Sequence, residues 1–249
     1  MKEWQARTQM LLGDGGLAAL EAARVVVVGV GGVGAAAAEM VVRSGVGHIV
    51  LIDPDTVSPT NINRQLPALH STVGLPKAEV LKTRLLDINP GLDVATVQEF
   101  LSEDNIQNIF SVVFPSEKCA PLGTIIYVID AIDTLSPKIA LAQFCLAQGL
   151  PLVSSMGSGG KYDATQVRVA DISKTYECPL ARMMRKRLHK LGIEKGFKAV
   201  FSPEIPDKER MTIEETRNKK SQVGTISYMP AVFGCVCAQT VICDIVGKR

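Results

Sequence analysis

Short apolar runs alternate with segments whose apolar residues recur at helical spacing through the first two thirds of the chain. The runs of strand length are Arg24–Val28, His48–Ile52, Asp93–Val97, Thr124–Ile129 and Leu152–Ser155. Between them lie the helical segments Val33–Ser44, Lys77–Ile88, Asp104–Phe110 and Ser136–Gln148. That rhythm is the mark of βαβ units. It predicts an α/β fold of Rossmann-like, doubly wound type, a mainly parallel sheet flanked by helices. After Met156 the rhythm changes: Gly157-Ser158-Gly159-Gly160 reads as a flexible turn, Gln166–Val169 as a short strand and Pro179–Leu191 as a basic helix. Residues 203–223 are highly charged with few apolar anchors and read as a mobile surface loop, and Pro230–Val246 reads as a buried helix. The chain therefore divides into a Rossmann-like unit over residues 1–175 and a C-terminal extension over residues 176–249, packed on the same domain and expected to supply the substrate side.

Two stretches, Val25–Val42 and Ile226–Val246, approach the ~20 residues that cross a bilayer. The first carries four glycines and Glu39, the second Pro230, Gln239 and Asp244, so both read as buried core. The opening residues Met1–Arg7 lack the apolar run of a secretory signal, and a cytoplasmic protein without membrane contact is expected. The charge balance, 27 Lys+Arg against 25 Asp+Glu, does not suggest a general grip on nucleic acid. One Trp, four Tyr and seven Phe argue against an aromatic platform for single strands. A polyanion would need a local basic patch. Arg182, Arg185, Lys186, Arg187 and Lys190, with Arg168 and Lys174 nearby, could form one, and they read equally as a solvated helix face.

No C-x-x-C pair occurs among Cys119, Cys145, Cys178, Cys235, Cys237 and Cys243, which argues against a zinc ribbon or a thioredoxin-type site. The three C-terminal cysteines fall in an apolar run and read as small hydrophobes. Cys178, after polar residues and before Pro179, is the one to test as a nucleophile.

The chemistry begins at Gly29-Val30-Gly31-Gly32-Val33-Gly34. This G-x-G-x-x-G turn leaves an apolar strand and enters an Ala-rich helix, the arrangement in which backbone N–H groups and a helix dipole receive phosphates. Asp53, 19 residues after Gly34 at the end of the second strand, can accept hydrogen bonds from ribose hydroxyls. Asp53-Pro-Asp55, Asn61-Ile-Asn63-Arg64-Gln65 and Gly74-Leu-Pro-Lys77 follow. Two added cations, Arg64 and Lys77, suit a triphosphate better than a dinucleotide's pyrophosphate, so ATP is favoured over NAD. Asp130-Ala-Ile-Asp133 ends another strand at the edge where doubly wound sheets bind ligands. There Asp133 could hold Mg²⁺ beside phosphates or cap a helix, and Asp130 reads as structural.

Together with Asn89-Pro90, these segments resemble the ThiF/MoeB/ubiquitin-activating superfamily of ATP-dependent carboxylate-adenylating enzymes over residues 5–175. Gly157-Ser-Gly-Gly160, Thr165-Gln166-Val167, Asp171-Ile-Ser-Lys174-Thr175, Pro179-Leu180-Ala181 and Gly224-Thr-Ile-Ser-Tyr-Met-Pro230 resemble its tRNA threonylcarbamoyladenosine dehydratase branch, which also lacks the zinc-binding C-x-x-C pairs. The resemblance implies that Gly29, Gly31, Gly32 and Gly34 line the ATP phosphates and adenosine and that Asp53 meets the ribose. Asn61, Arg64 and Lys77 would contact the triphosphate, with Asp55 and Gln65 in the same nucleotide-binding set, and Asp133 would hold Mg²⁺. Arg7 matches an arginine that enters the partner subunit's site, which implies a homodimer. The implied reaction is attack of a tRNA-borne carboxylate on the ATP α-phosphate, then displacement of AMP by an internal nitrogen or oxygen, closing a ring with net loss of water. The loop over residues 203–223, with Lys208 and Lys219-Lys220, is the candidate lid. A sulfur-relay protein is a further implied partner. However, Lys219-Lys220-Ser221-Gln222-Val223 lacks the cysteine some dehydratases carry before the glycine matching Gly224. The rival expectations are adenylation of the C-terminal glycine of a ubiquitin-like sulfur carrier, and a non-catalytic nucleotide-binding adaptor.

Overall fold

The protein was analysed as a computed structural model describing residues 2–113, 125–205, 211–212 and 222–248. Cys119, Lys208, Lys219-Lys220 and most of the expected lid lie outside the described residues. Seven strands make the main sheet: β1 (Arg24–Val28), β2 (His48–Ile52), β3 (Asp93–Val97), β4 (Ile126–Asp130), β5 (Leu152–Ser155), β6 (Arg168–Asp171) and β7 (Lys198–Phe201). Their order is β3-β2-β1-β4-β5-β7-β6, all neighbours parallel except the antiparallel β6–β7 edge pair. Seven α-helices are described: α1 (Ala6–Ala22), α2 (Gly32–Arg43), α3 (Lys77–Ile88), α4 (Ile106–Val113), α5 (Leu135–Ala147), α6 (Pro179–His189) and α7 (Tyr228–Ile245). Within the charged region, β8 (Met211–Thr212) and β9 (Gln222–Val223) pair antiparallel.

The central strands are apolar at successive positions because helices cover both faces of the sheet. Strand periodicity sends alternate side chains to opposite layers. Val25, Val27, Ile49, Leu51 and Ile129 enter one core with residues of α2, α3 and α7, among them Val41, Leu81 and Phe233. Val26, Val28, Val50, Ile52 and Val128 enter the other with residues of α4, α5 and α6, among them Phe110, Leu141 and Met184. Among the described residues only α7 is long and apolar enough to cross a membrane, and Met229, Phe233, Cys237, Ala238 and Val241 bury one side of it in the core. Gly234 permits its approach to α2, since a Cβ there would lie 2.4 Å from the Val33 carbonyl oxygen. Between α2 and α3 the buried Glu39 accepts from Arg84 Nε at 2.6 Å and Arg43 Nε at 2.8 Å. Burial alone would push its carboxyl up, but the two guanidinium groups outweigh that and hold it below the ordinary range.

Several boundaries differ from the pattern-based expectation. The fourth strand is shifted to Ile126–Asp130, and the short strand expected over Gln166–Val169 runs from Arg168 to Asp171. The basic helix ends at His189 and the last helix starts at Tyr228. α1 and β7 were not anticipated: Gly13, at φ +74°, breaks the helical pattern of α1, and β7 has only four residues.

Candidate functional site

The register sets Val28 beside both Ile52 and Asp130, so β1, β2 and β4 end level with one another. Strand order reverses between β1 and β4, making this carboxyl edge the switch point where open α/β sheets take ligands. The glycine turn opens directly onto it. Gly29, at φ +87°, has no room for a side chain, because a Cβ would sit 2.8 Å from the Ala131 carbonyl oxygen. At Gly34 a Cβ would lie 1.7 Å from the Gly29 carbonyl oxygen, and at Gly32 2.8 Å from Pro230 Cβ. Gly31 differs: a Cβ would meet only the end of the Gln65 side chain, at 3.6 Å. No internal clash demands glycine there; it keeps open the space before the N-terminus of α2, which no side chain caps.

Asp53 is buried at the end of β2 and accepts from Val30 N–H at 2.7 Å and Asp55 N–H at 2.9 Å, tying the two loops together. Burial pushes its carboxyl above the ordinary value despite the pull of Lys77 and these amides. Lys77 opens α3 with its side chain buried, and its Nζ is 2.7 Å from Asp55 Oδ2, whose carboxylate is exposed. An incoming anion would compete with that carboxylate for the ammonium. Asn61 is buried, and its Oδ1 accepts from Ser58 N–H at 3.1 Å, so it fixes the local turn. Arg64 Nη1 donates to Thr60 O and Asn63 Oδ1, both at 2.8 Å. Gln65 presents a buried Oε1 with no hydrogen-bond partner, beside Gly31. A polar ligand entering the turn would meet that unsatisfied amide, and the open glycine with the uncapped helix end suits phosphate. These residues therefore fit a nucleotide.

Asp133 is exposed one residue before Thr134, the N-cap of α5, which corrects the reading of Asp133 as the cap itself. Its loop touches the glycine turn through Ala131 and Ile132. Behind the loop stands a buried ion pair that sequence reasoning missed: Lys138 Nζ lies 2.8 Å from Asp130 Oδ2, both side chains fully buried. Lys138 also donates to Ile132 O at 3.0 Å and Ser155 O at 2.8 Å, and Asp130 accepts from Ser154 Oγ at 2.6 Å and Ile132 N–H at 3.1 Å. The available signal was Asp130 itself, since a carboxylate closing a buried strand needs a counter-charge.

Arg7 is not brought to this edge. Gln5, two residues before it, packs near Gly45 between α2 and β2, and Lys2 reaches Asn89 after α3, both at the amino end of the sheet. The C-terminal segment does reach the site, through Asn63 Nδ2 donating to Thr225 O at 3.0 Å and Gly160 N–H donating to Gly224 O at 2.8 Å. On α6, Ala181, Met184 and Leu188 are buried while Arg182, Lys186 and Arg187 are exposed. Cys178 sits buried at that helix's N-cap, tucked into the core as a hydrophobe, not presented to solvent as a thiol nucleophile would be.

A family model described as ThiF family matches residues 5–249. The chain is 40% identical over 248 residues to the tRNA threonylcarbamoyladenosine dehydratase of Bacillus subtilis (strain 168), covering 96% of this chain and 93% of that one. Its fold matches the crystal structure of E. coli tRNA N6-threonylcarbamoyladenosine dehydratase, TcdA, in complex with ATP, with a TM-score of 0.85 and 36% identity over 98% of this chain and 93% of the other. The AMP complex of the same E. coli enzyme matches with a TM-score of 0.83 and 37% identity, over 97% and 93% of the two chains.

Proposed function

The chain belongs to the ThiF family, and from that membership we propose that it is an ATP-dependent tRNA threonylcarbamoyladenosine dehydratase. The observation that carries this reading is the glycine turn at the switch point, open at Gly31 and edged by Gln65, Arg64 and Lys77, in a chain similar along nearly its whole length to dehydratases solved with ATP and AMP. The threonyl carboxylate of the modified adenosine attacks the α-phosphate of ATP and pyrophosphate leaves. An internal nitrogen or oxygen of the same side chain then attacks the activated carbonyl and AMP departs, so one water is lost overall. No protein nucleophile is needed, and positioning with charge stabilisation carries the first step.

In this assignment the backbone of Gly29, Gly31, Gly32 and Gly34 receives the phosphates. Asp53 orients the ribose, and Asn61, Asp55 and Gln65 shape the rim. Arg64 and Lys77 stabilise the charge that develops as pyrophosphate leaves, Lys77 exchanging Asp55 for phosphate oxygen. Asp133 holds Mg²⁺ together with phosphate oxygens; when bound, the ion neutralises phosphate charge. Among the described residues no three of His, Cys, Asp and Glu are grouped to cage a metal, so a carboxylate-plus-phosphate arrangement suits this edge. The enzyme acts as a homodimer, in which Arg7 serves the partner's site. Supporting that reading, Met10 and Leu11 on α1 are 87% and 74% exposed, apolar surface that a second subunit would cover. It works in the cytoplasm with tRNA, and a sulfur-relay protein is its proposed protein partner.

Pyrophosphate release tests the proposal. Threonylcarbamoyl-modified tRNA should stimulate it, and Arg64→Ala or Lys77→Ala should lower the rate by about 100-fold or more with the fold intact. Near-normal release in either variant would refute its assigned role. Stimulation by a ubiquitin-like carrier protein alone would overturn the substrate, and silence with both would favour the adaptor.

A further inference from the structure

Aromatic residues are scarce in this chain, yet the fold gathers three of its four tyrosines around one strand end. Tyr127 is the exception, buried and donating to Asp244 Oδ2 at 2.7 Å. Tyr162, Tyr176 and Tyr228 are 50%, 47% and 43% exposed. All three are anchored near the carboxyl end of β7. The Tyr176 ring rests edge-on against Phe201, the last residue of β7, with centroids 5.5 Å apart and planes at 79°. Tyr162 N–H donates to both carboxylate oxygens of Glu204, at 2.8 and 3.0 Å, and the preceding Lys161 donates through its Nζ to Ser202 O and Glu204 O. Tyr228 Oη donates to Tyr162 O at 2.8 Å.

Two neighbours give this rim its meaning. On one side, the segment carrying Tyr228 runs into the nucleotide site through Thr225, held by Asn63, and Pro230, packed at Gly32. On the other, Tyr176 leads into α6 across Glu177, whose φ of +52° places it alone among described non-glycine residues in the left-handed region. Arg185 of α6 hydrogen-bonds Thr175 Oγ1, which locks that turn onto the helix. α6 contains no acidic residue and exposes Arg182, Lys186 and Arg187. Rings with free faces, fixed by their own backbone contacts, lie between a nucleotide site and a cationic helix. An apolar protein surface would not call for that charge; a polyanion with splayed bases matches both features.

We infer that Tyr162, Tyr176 and Tyr228 form a stacking shelf for the unpaired anticodon-loop bases beside the modified adenosine, while the adjoining phosphates run onto α6. This rests on the tRNA reading above. Because the rings are pre-anchored, stacking on them costs little side-chain entropy, and any base can use the face of a tyrosine. Composition is a poor guide to such a shelf, which needs only a few rings in one place.

The test uses the full-length protein with threonylcarbamoyl-modified tRNA at several salt concentrations, alongside ATP binding. Tyr176→Leu and Tyr162→Leu should each weaken tRNA binding by about tenfold, while Tyr→Phe at either position stays within about twofold of wild type, since the face of the ring is what stacks. The slope of log Kd against log salt should not change in these variants, whereas Arg182→Ala with Lys186→Ala should flatten it. ATP affinity should hold in all of them, which also guards against a folding defect. Leucine variants that bind tRNA as tightly as wild type would overturn the shelf. So would equal losses in Phe and Leu variants, which would point to the hydroxyl. Wild-type protein that ignores modified tRNA but responds to a carrier protein would overturn the functional reading on which the shelf rests.

Discussion

Replacing Lys138 by methionine is the sharpest physical test of how this fold builds its ligand edge. In the native protein the Lys138 ammonium is 2.8 Å from Asp130 Oδ2 with neither side chain exposed, and it also binds Ile132 O and Ser155 O. Methionine keeps the length and the apolar stem but leaves the Asp130 carboxylate buried with only Ser154 Oγ and Ile132 N–H as donors. Removing one partner of such a pair costs about 3–5 kcal/mol, chiefly because the surviving charge stays desolvated. At roughly 2–4 °C per kcal/mol for a chain of this size, the melting temperature should fall by about 6–20 °C. The stranded carboxyl would have a raised pKa, so the deficit should shrink as pH falls toward that value and grow as pH rises past it. Lys138→Met combined with Asp130→Leu should recover much of the loss, since two apolar side chains leave no charge to solvate. Urea unfolding followed by circular dichroism between about pH 6 and pH 8 measures all three, with native ATP affinity as a companion readout. That affinity should drop in the single variant, because the pair fixes both backbone groups of Ile132 beside Asp133 and against the glycine turn. A single variant within about 1 kcal/mol of wild type, or a deficit independent of pH, would refute the reasoning.

Two further outcomes follow from the same geometry. Gly34→Ala should fail to fold normally, since its Cβ would lie 1.7 Å from the Gly29 carbonyl oxygen, whereas Gly31→Ala should melt near wild type and lose ATP binding, its Cβ meeting only Gln65 at 3.6 Å; calorimetric titration with ATP separates them, and unimpaired binding by Gly31→Ala would show that the turn is not the phosphate seat. Glu39, held below its ordinary value of 4.5 by Arg84 and Arg43 against the opposing effect of burial, contributes stability above that value and loses it as pH falls through the lowered one. Glu39→Gln should therefore flatten the fall of the urea midpoint between about pH 5 and pH 3, and an unchanged acid limb would remove the carboxylate from the account.

What the sequence disclosed depended on whether a local pattern carried the information. α3 spans Lys77–Ile88 and β5 spans Leu152–Ser155, the limits that periodicity and the flanking Pro76 and Pro151 indicate. The glycine turn and Asp53 are also local signals, strand, turn and helix in one stretch. α1 was hidden because Gly13, Gly15 and Gly16 interrupt it and Met10 and Leu11 face outward, so its apolar positions do not trace a buried stripe. Lys138 was hidden for the opposite reason: a lysine in a helix ordinarily marks a solvated face, and only the position of Asp130 across the strand end makes it a buried partner. Lys77 was correctly picked as a cation near the turn, but its pairing with Asp55 depends on a contact 22 residues apart.

The same non-local logic binds the two halves of the chain. The change in rhythm after Met156 suggests an appended piece, yet β7 lies between β5 and β6, and α7 packs along α2 with Gly234 against Val33 O. The residues nearest the glycine turn from outside its own unit are Pro230 at Gly32 and Thr225 at Asn63, both from the C-terminal segment. Cutting the chain at residue 175 would thus strip β7 from the sheet interior and expose the apolar face of α2 that covers the nucleotide turn. The nucleotide side and the substrate side cannot have evolved as separable modules on this scaffold: the helix that receives phosphate is held in place by the helix that ends the chain, and the segment leading into that helix carries Tyr228 to the shelf.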